Sequence, residues 1–94
     1  MIVREGNRYV VDGPVTLGNV GSLIAESATF EGDSVIVDLA RVTGADSSAL
    51  SLLMEWIRRF GANGRHIAFA NMGPNLRSLA ELYGVVDLIP VATV

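Results

Sequence analysis

Between Ser34 and Ile57 the hydrophobic rhythm of the chain changes once, and that change dictates a strand, a loop and a helix in immediate succession. Val35, Ile36, Val37 and Leu39 are apolar and mostly β-branched, which suits a short, enclosed strand over Ser34 to Leu39. From Ala49 to Phe60 the period becomes helical. Leu50, Leu53, Met54 and Ile57 fall at i, i+3, i+4 and i+7 and predict one core-facing stripe. The eight residues Arg41-Val42-Thr43-Gly44-Ala45-Asp46-Ser47-Ser48 between them read as a loop that brings Asp46 to the N-cap. Ser47 and Ser48 then stand in the first turn, where unpaired N–H groups and the positive end of the helix dipole favour a phosphate or a partner's acidic group. Capping alone also explains Asp and Ser at a helix start, so both readings stand at this point.

The flanking sequence extends the pattern. Met1 to Glu5 and Arg8 to Asp12 read as a hairpin turning at Gly6-Asn7, with Glu5 facing Arg8. Gly13-Pro14 ends the second strand, and Thr16 is the expected N-cap of a first helix with Val20, Leu23, Ile24 and Ala28 inward. Gly18 and Gly21 weaken that helix by about 1 kcal/mol each relative to alanine. Beyond the second helix, Gly61 is the expected C-cap and Asn63-Gly64 a tight turn. Ile67 and Phe69 alternate with Ala68 and Ala70 in a strand closed by Asn71. Pro74 opens a third helix with Leu76, Leu79, Ala80 and Tyr83 inward and Gly84 as its cap, and Leu88, Ile89 and Val91 supply a last strand. The order is ββαβαβαβ. Right-handed crossovers then predict an α/β domain over residues 1–94, with a mixed sheet of four or five strands, parallel except at the hairpin, and helices mainly on one face.

Composition narrows the function classes. A net charge of −3 and pI near 4.9, with no basic run, argue against nucleic acid as a partner. The absence of cysteine removes thiolate catalysis and thiolate-bound zinc. No apolar run approaches the ~20 residues of a membrane span, so direct membrane insertion is not expected. His66 has no second histidine to form a metal site with and reads as structural. Ser47 and Ser48 lack a G-x-S-x-G elbow or a nearby histidine, and the glycines match no phosphate-binding spacing, so no catalysis and no cofactor are expected. Half of the residues are hydrophobic and 18% are charged, which suggests a partner covering part of the surface. Leu52 and Trp56, one turn apart beside Arg59 and next to the Glu55–Arg59 pair, have the composition of a protein-binding patch. Equally, Trp56 can simply cover the sheet edge.

The run from Val37 to Leu50, followed by the apolar helix, resembles the STAS domain of anti-sigma-factor antagonists and of the transporter subunit MlaB. Gly13 with Thr16 resembles the family's segment before the first helix, and Leu79 to Val85 resembles its third helix and cap. The resemblance implies a STAS-like sheet and a non-enzymatic binding protein. In antagonists the hydroxyl residue after the aspartate is phosphorylated, a role that falls on Ser47. In MlaB-like members the same position, usually threonine, meets the ATPase subunit of a phospholipid-trafficking, MlaFEDB-type ABC transporter that maintains lipid asymmetry. The family's glycine before the leucine is Ala49 here. The early end after Leu88-Ile89-Pro90 favours the MlaB side, and the serine at 47 favours the antagonist side, whose partner is an anti-sigma-factor kinase. The partner surface implied is Ser47 with Asp46, Ser48, Leu52, Trp56, Arg59 and Thr16. Either branch places the protein in the bacterial cytoplasm, the transporter branch peripheral to the inner membrane, and leaves open whether isolated chains pair as homodimers.

Overall fold

A computed structural model describes residues 1–92. Strands β1 (Ile2–Glu5) and β2 (Arg8–Val11) form the expected antiparallel hairpin. Gly6 takes the positive φ at its turn (63°), while Asn7 does not need one. The pairing continues in parallel from β2 to β4 (Ser34–Asp38) and from β4 to β6 (His66–Ala70), giving one four-stranded sheet in the order β1-β2-β4-β6. Helices α1 (Val20–Glu26), α2 (Ser47–Ala62) and α3 (Pro74–Leu82) follow β3 (Gly13–Val15), β5 (Val42–Ala45) and β6 in turn.

The strands β3 (Gly13–Val15) and β5 (Val42–Ala45) correct the expectation of one sheet followed by an eight-residue loop. They pair in parallel as a separate ribbon, Gly13 with Val42 and Val15 with Ala45, with an irregularity between. Val42 and Ala45 are too few and too interrupted by Thr43 and Gly44 to signal a strand by periodicity. Their backbone pairing sets the chain that enters α2 beside the chain that enters α1.

Registry puts Tyr9, Val37 and Phe69 side by side on one face, with Val35 beside Ile67, and all five are buried. Helix α2 lies over that face. Phe30 links Tyr9 to Trp56, with centroids 4.5 and 5.5 Å apart, and Trp56 stacks on Phe69 at 6.3 Å. The α2 residues that bury are Ala49, Leu50, Leu52, Leu53, Trp56 and Phe60. The 49/52/53/56/60 spacing is the true i, i+3, i+4, i+7, i+11 stripe, displaced from the one expected at 50/53/54/57. Met54 and Ile57 are only half-buried. The surface patch expected of Leu52 and Trp56 is therefore overturned: they are 3% and 2% exposed. Packing of α2 against α1, α3 and β6 widens its apolar face beyond a single stripe and takes both residues inside.

Several ends also differ from expectation. Asn19, not Thr16, is the N-cap of α1, because Thr16 closes a turn by accepting the N–H groups of Asn19 and Val20 at 3.0 and 3.1 Å. Gly18 thus falls outside the helix, and Ala28 is exposed within a 3-10 turn over Ser27–Thr29. α2 runs past Gly61 to Ala62, with left-handed geometry at Gly64 (φ 68°) instead. At α3, Pro74 opens the helix as expected, and Gly84 (φ 71°) ends it with Val85 N–H on Ala80 O and Gly84 N–H on Glu81 O. Tyr83, expected inward, is exposed there. The last strand reduces to a 3-10 turn at Val86–Leu88 and one parallel bridge from Val91 to Phe69. Pro90, with no N–H to donate, leaves little room for a longer ladder.

The sheet's other face carries Arg8, Asp38 and their neighbours. Glu5 faces Arg8 in the hairpin register as expected, while the ion pairs go elsewhere, Arg8 to Asp38 at 3.1 Å and Glu5 to Arg41 at 2.6 Å. Burial pushes the Asp38 carboxyl up, but the Ala40 N–H, the Asn71 amide and the Arg8 guanidinium outweigh it and hold the pKa below the ordinary value. The native state therefore binds fewer protons than the unfolded chain near pH 4, so this contribution is complete above the unfolded carboxylate value of ~3.9 and disappears as pH falls through the lower native value. Asp38→Asn is expected to flatten the acid side of a denaturation-versus-pH curve. A curve parallel to wild type below pH 5 would show the ion pair to be without effect.

Candidate functional site at the start of α2

Strand β5 hands the chain directly to Asp46, whose extended backbone (φ −112°, ψ −170°) breaks the strand and caps α2. Its Oδ1 accepts the Ser48 N–H at 2.8 Å, and its carbonyl accepts the Ala49 N–H at 3.0 Å. The second carboxylate oxygen does something sequence alone did not indicate. Oδ2 accepts the Leu17 N–H at 3.2 Å, so one side chain ties the start of α2 to the segment before α1. Desolvation pushes the Asp46 pKa up, and the N–H groups of Ser48 and Leu17 more than reverse it, keeping the carboxylate ionised below the usual range. Asp46→Ala removes both anchors, and a fall in the thermal midpoint on the order of 4–8 °C is expected by scanning calorimetry. An unchanged midpoint would contradict the cap's role.

Ser47 is exposed and Ser48 half-buried, and Ser51 one turn on donates its hydroxyl to the Ser47 carbonyl at 3.4 Å. Thr16 follows Val15, which the β3–β5 ribbon sets in register with Ala45 and whose carbonyl accepts the Asp46 N–H at 3.4 Å. The structure thus gathers Thr16, Asp46, Ser47 and Ser48 at one end of α2. Arg59 stands about 18 Å up the helix, at ~1.5 Å per residue from Ser47. It is held there by Glu55 at 2.7 Å, which also takes Arg58. Hydrogen bonds from the two guanidiniums lower the Glu55 pKa to about 2, so this cluster is ionised at any neutral pH and gives the helix a charged shoulder away from Ser47.

Leu17 is the residue missed from sequence. It is 77% exposed beside Asp46 and, with Val20, Ile24, Leu52, Ser48, Ser51 and Glu55, lines a groove of about 380 Å³ between α1 and α2. The available signal was an apolar residue placed before Gly18, outside the period of either helix. Among the described residues there is no group of His, Asp and Glu able to hold a metal, and no helix long and apolar enough to cross a membrane. The arrangement offers hydroxyls, a fixed carboxylate and an aliphatic rim, which is chemistry for contact.

The profile of the family described as "Mlab, STAS domain" matches residues 6–90, and the chain belongs to that family. Among solved structures, the anti-sigma factor antagonist SpoIIAA in its unphosphorylated form superposes with a TM-score of 0.73 at 18% identity, over 99% of this chain and 87% of that one. A sulfate transporter family protein from Wolinella succinogenes gives 0.70 at 18% identity, over 87% and 69% of the two chains. A search of curated proteins found no match. The shared fold has the hairpin, parallel sheet and three helices described above.

Proposed function

We propose that this protein is a non-enzymatic accessory subunit that binds the cytoplasmic ATPase subunit of an MlaFEDB-type phospholipid ABC transporter and stabilises or regulates it through the surface around Ser47. The observation that carries the reading is the match of an MlaB-type profile across residues 6–90, within which Ser47 stands exposed at the start of α2. Asp46, Ser48 and Thr16 complete the contact surface. Arg59 lies at its far margin, while Leu52 supports it from beneath and Trp56 acts only through the core. Co-expression with the ATPase subunit of such a transporter is expected to yield a complex that survives gel filtration. Recovery of the ATPase alone, with this chain eluting separately, would reject the reading.

A second reading is favoured by one residue. A serine directly after the capping aspartate is the arrangement of an antagonist switched by a serine kinase, with Ser47 as acceptor. Incubation with a kinase-like anti-sigma factor and labelled ATP separates the two: label on wild type and none on Ser47→Ala supports switching, and absence of label rejects it.

A further inference from the structure

Building on the reading that Ser47 faces the partner, the double grip of Asp46 assigns a role to its neighbour across the site. The turn Thr16–Asn19 is closed by its own bonds, the Thr16 N–H to Asn19 Oδ1 at 2.8 Å and the Asn19 amide to the Pro14 carbonyl. A segment stiffened in this way moves as a piece. It is fastened to α2 by Leu17 N–H on Asp46 Oδ2 at 3.2 Å and by Asp46 N–H on the Val15 carbonyl at 3.4 Å. Of these two, the bond to the carboxylate is charge-assisted and the shorter, so it is the stronger. Leu17 consequently has a fixed backbone and a side chain in water, 77% exposed, on the same groove rim as Ser48 and Ser51. Fixing the backbone that carries an aliphatic side chain before a partner arrives removes part of the ordering cost of binding.

We propose that Leu17 is the hydrophobic anchor of the partner surface, that Asp46 is the residue positioning it beside Ser47, and that negative charge placed on Ser47 loosens that hold. The partner that fits is a protein surface with an apolar recess for Leu17, flanked by hydrogen-bonding groups for the hydroxyls of Ser47 and Ser48. Charge at Ser47 acts in two ways. A second anion adjacent in sequence repels the Asp46 carboxylate, and it competes for the N–H groups of the first turn, Ser48 among them. Asp46 can then no longer serve Ser48 and Leu17 together, and the Thr16–Asn19 turn is held less firmly where the partner must meet it.

The test has a partner-free arm and a partner arm. Amide hydrogen exchange at Leu17, read by NMR, is expected to quicken about fivefold or more in Ser47→Glu and to stay at the wild-type rate in Ser47→Gln. Leu17→Ala is expected to weaken binding to the ATPase subunit by about tenfold or more in calorimetry. Its thermal midpoint should remain unchanged, because the side chain is in water. Equal Leu17 exchange in Ser47→Glu and Ser47→Gln overturns the coupling. Wild-type affinity in Leu17→Ala, with weakened binding in Ser47→Glu, overturns the anchor while leaving the Ser47 surface intact. Wild-type affinity in both variants overturns the anchor and the Ser47 surface together.

Discussion

Trp56→Ala is expected to destabilise the protein by about 3–5 kcal/mol, the range for truncating a large buried aromatic side chain. Small domains hold only ~5–15 kcal/mol in all, so much of the population unfolds at moderate temperature. The indole is 2% exposed, stacks on Phe69 at 6.3 Å and meets Phe30 at 5.5 Å, so its removal opens a void between α2 and the sheet. Its Nε1 is buried without an acceptor among the described residues. Trp56→Phe keeps the ring contacts and eliminates that orphan donor, and a loss below about 1.5 kcal/mol is expected. Urea denaturation of the two variants checks both numbers. A stable Trp56→Ala protein with impaired partner binding would return this tryptophan to the surface.

Ser47→Glu is expected to leave the thermal midpoint within a few degrees of wild type and to weaken binding of the ATPase subunit by about tenfold or more. The helix accepts the charge, since an acid in the first turn interacts favourably with its dipole, typically by 0.3–1 kcal/mol. A partner packed on the site has to desolvate that charge or supply arginine for it. Ser47→Ala removes one hydrogen bond without adding charge, and a reduction of only about twofold to tenfold follows from a net bond of 0.5–1.5 kcal/mol. Isothermal calorimetry on both variants, beside their melting curves, orders the three proteins. Equal affinities would place the interface elsewhere and reduce Asp46, Ser47 and Ser48 to an ordinary helix cap.

The sequence made the elements legible wherever a period was long or a turn residue unambiguous. The strand at Ser34, the Gly6 hairpin, the Asp46 cap and the Pro74-to-Gly84 helix were all of that kind. The ribbon of β3 and β5 was not legible, because its two short strands are specified by each other's backbone and not by their side chains. For α2, both 50/53/54/57 and 49/52/53/56/60 satisfy a helical period, and only the positions of α1, α3 and β6 decide which one turns inward. That ambiguity left Leu52 and Trp56 readable either as a surface patch or as cover for the sheet, and their burial decides for the second. At the site, local chemistry indicated Asp46, Ser47 and Ser48. Leu17 lies 29 residues from Asp46 in sequence, and no local rule predicts that the second carboxylate oxygen reaches it.

Binding of a transporter ATPase by the surface around Ser47 can be measured by titrating the purified ATPase subunit with this protein in a calorimeter. A saturable one-to-one complex is expected with Kd on the order of 1 μM or tighter, an affinity of about −8 kcal/mol, and a weaker complex with Ser47→Glu. No heat with the ATPase, together with tight binding to a kinase-like anti-sigma factor, would contradict it.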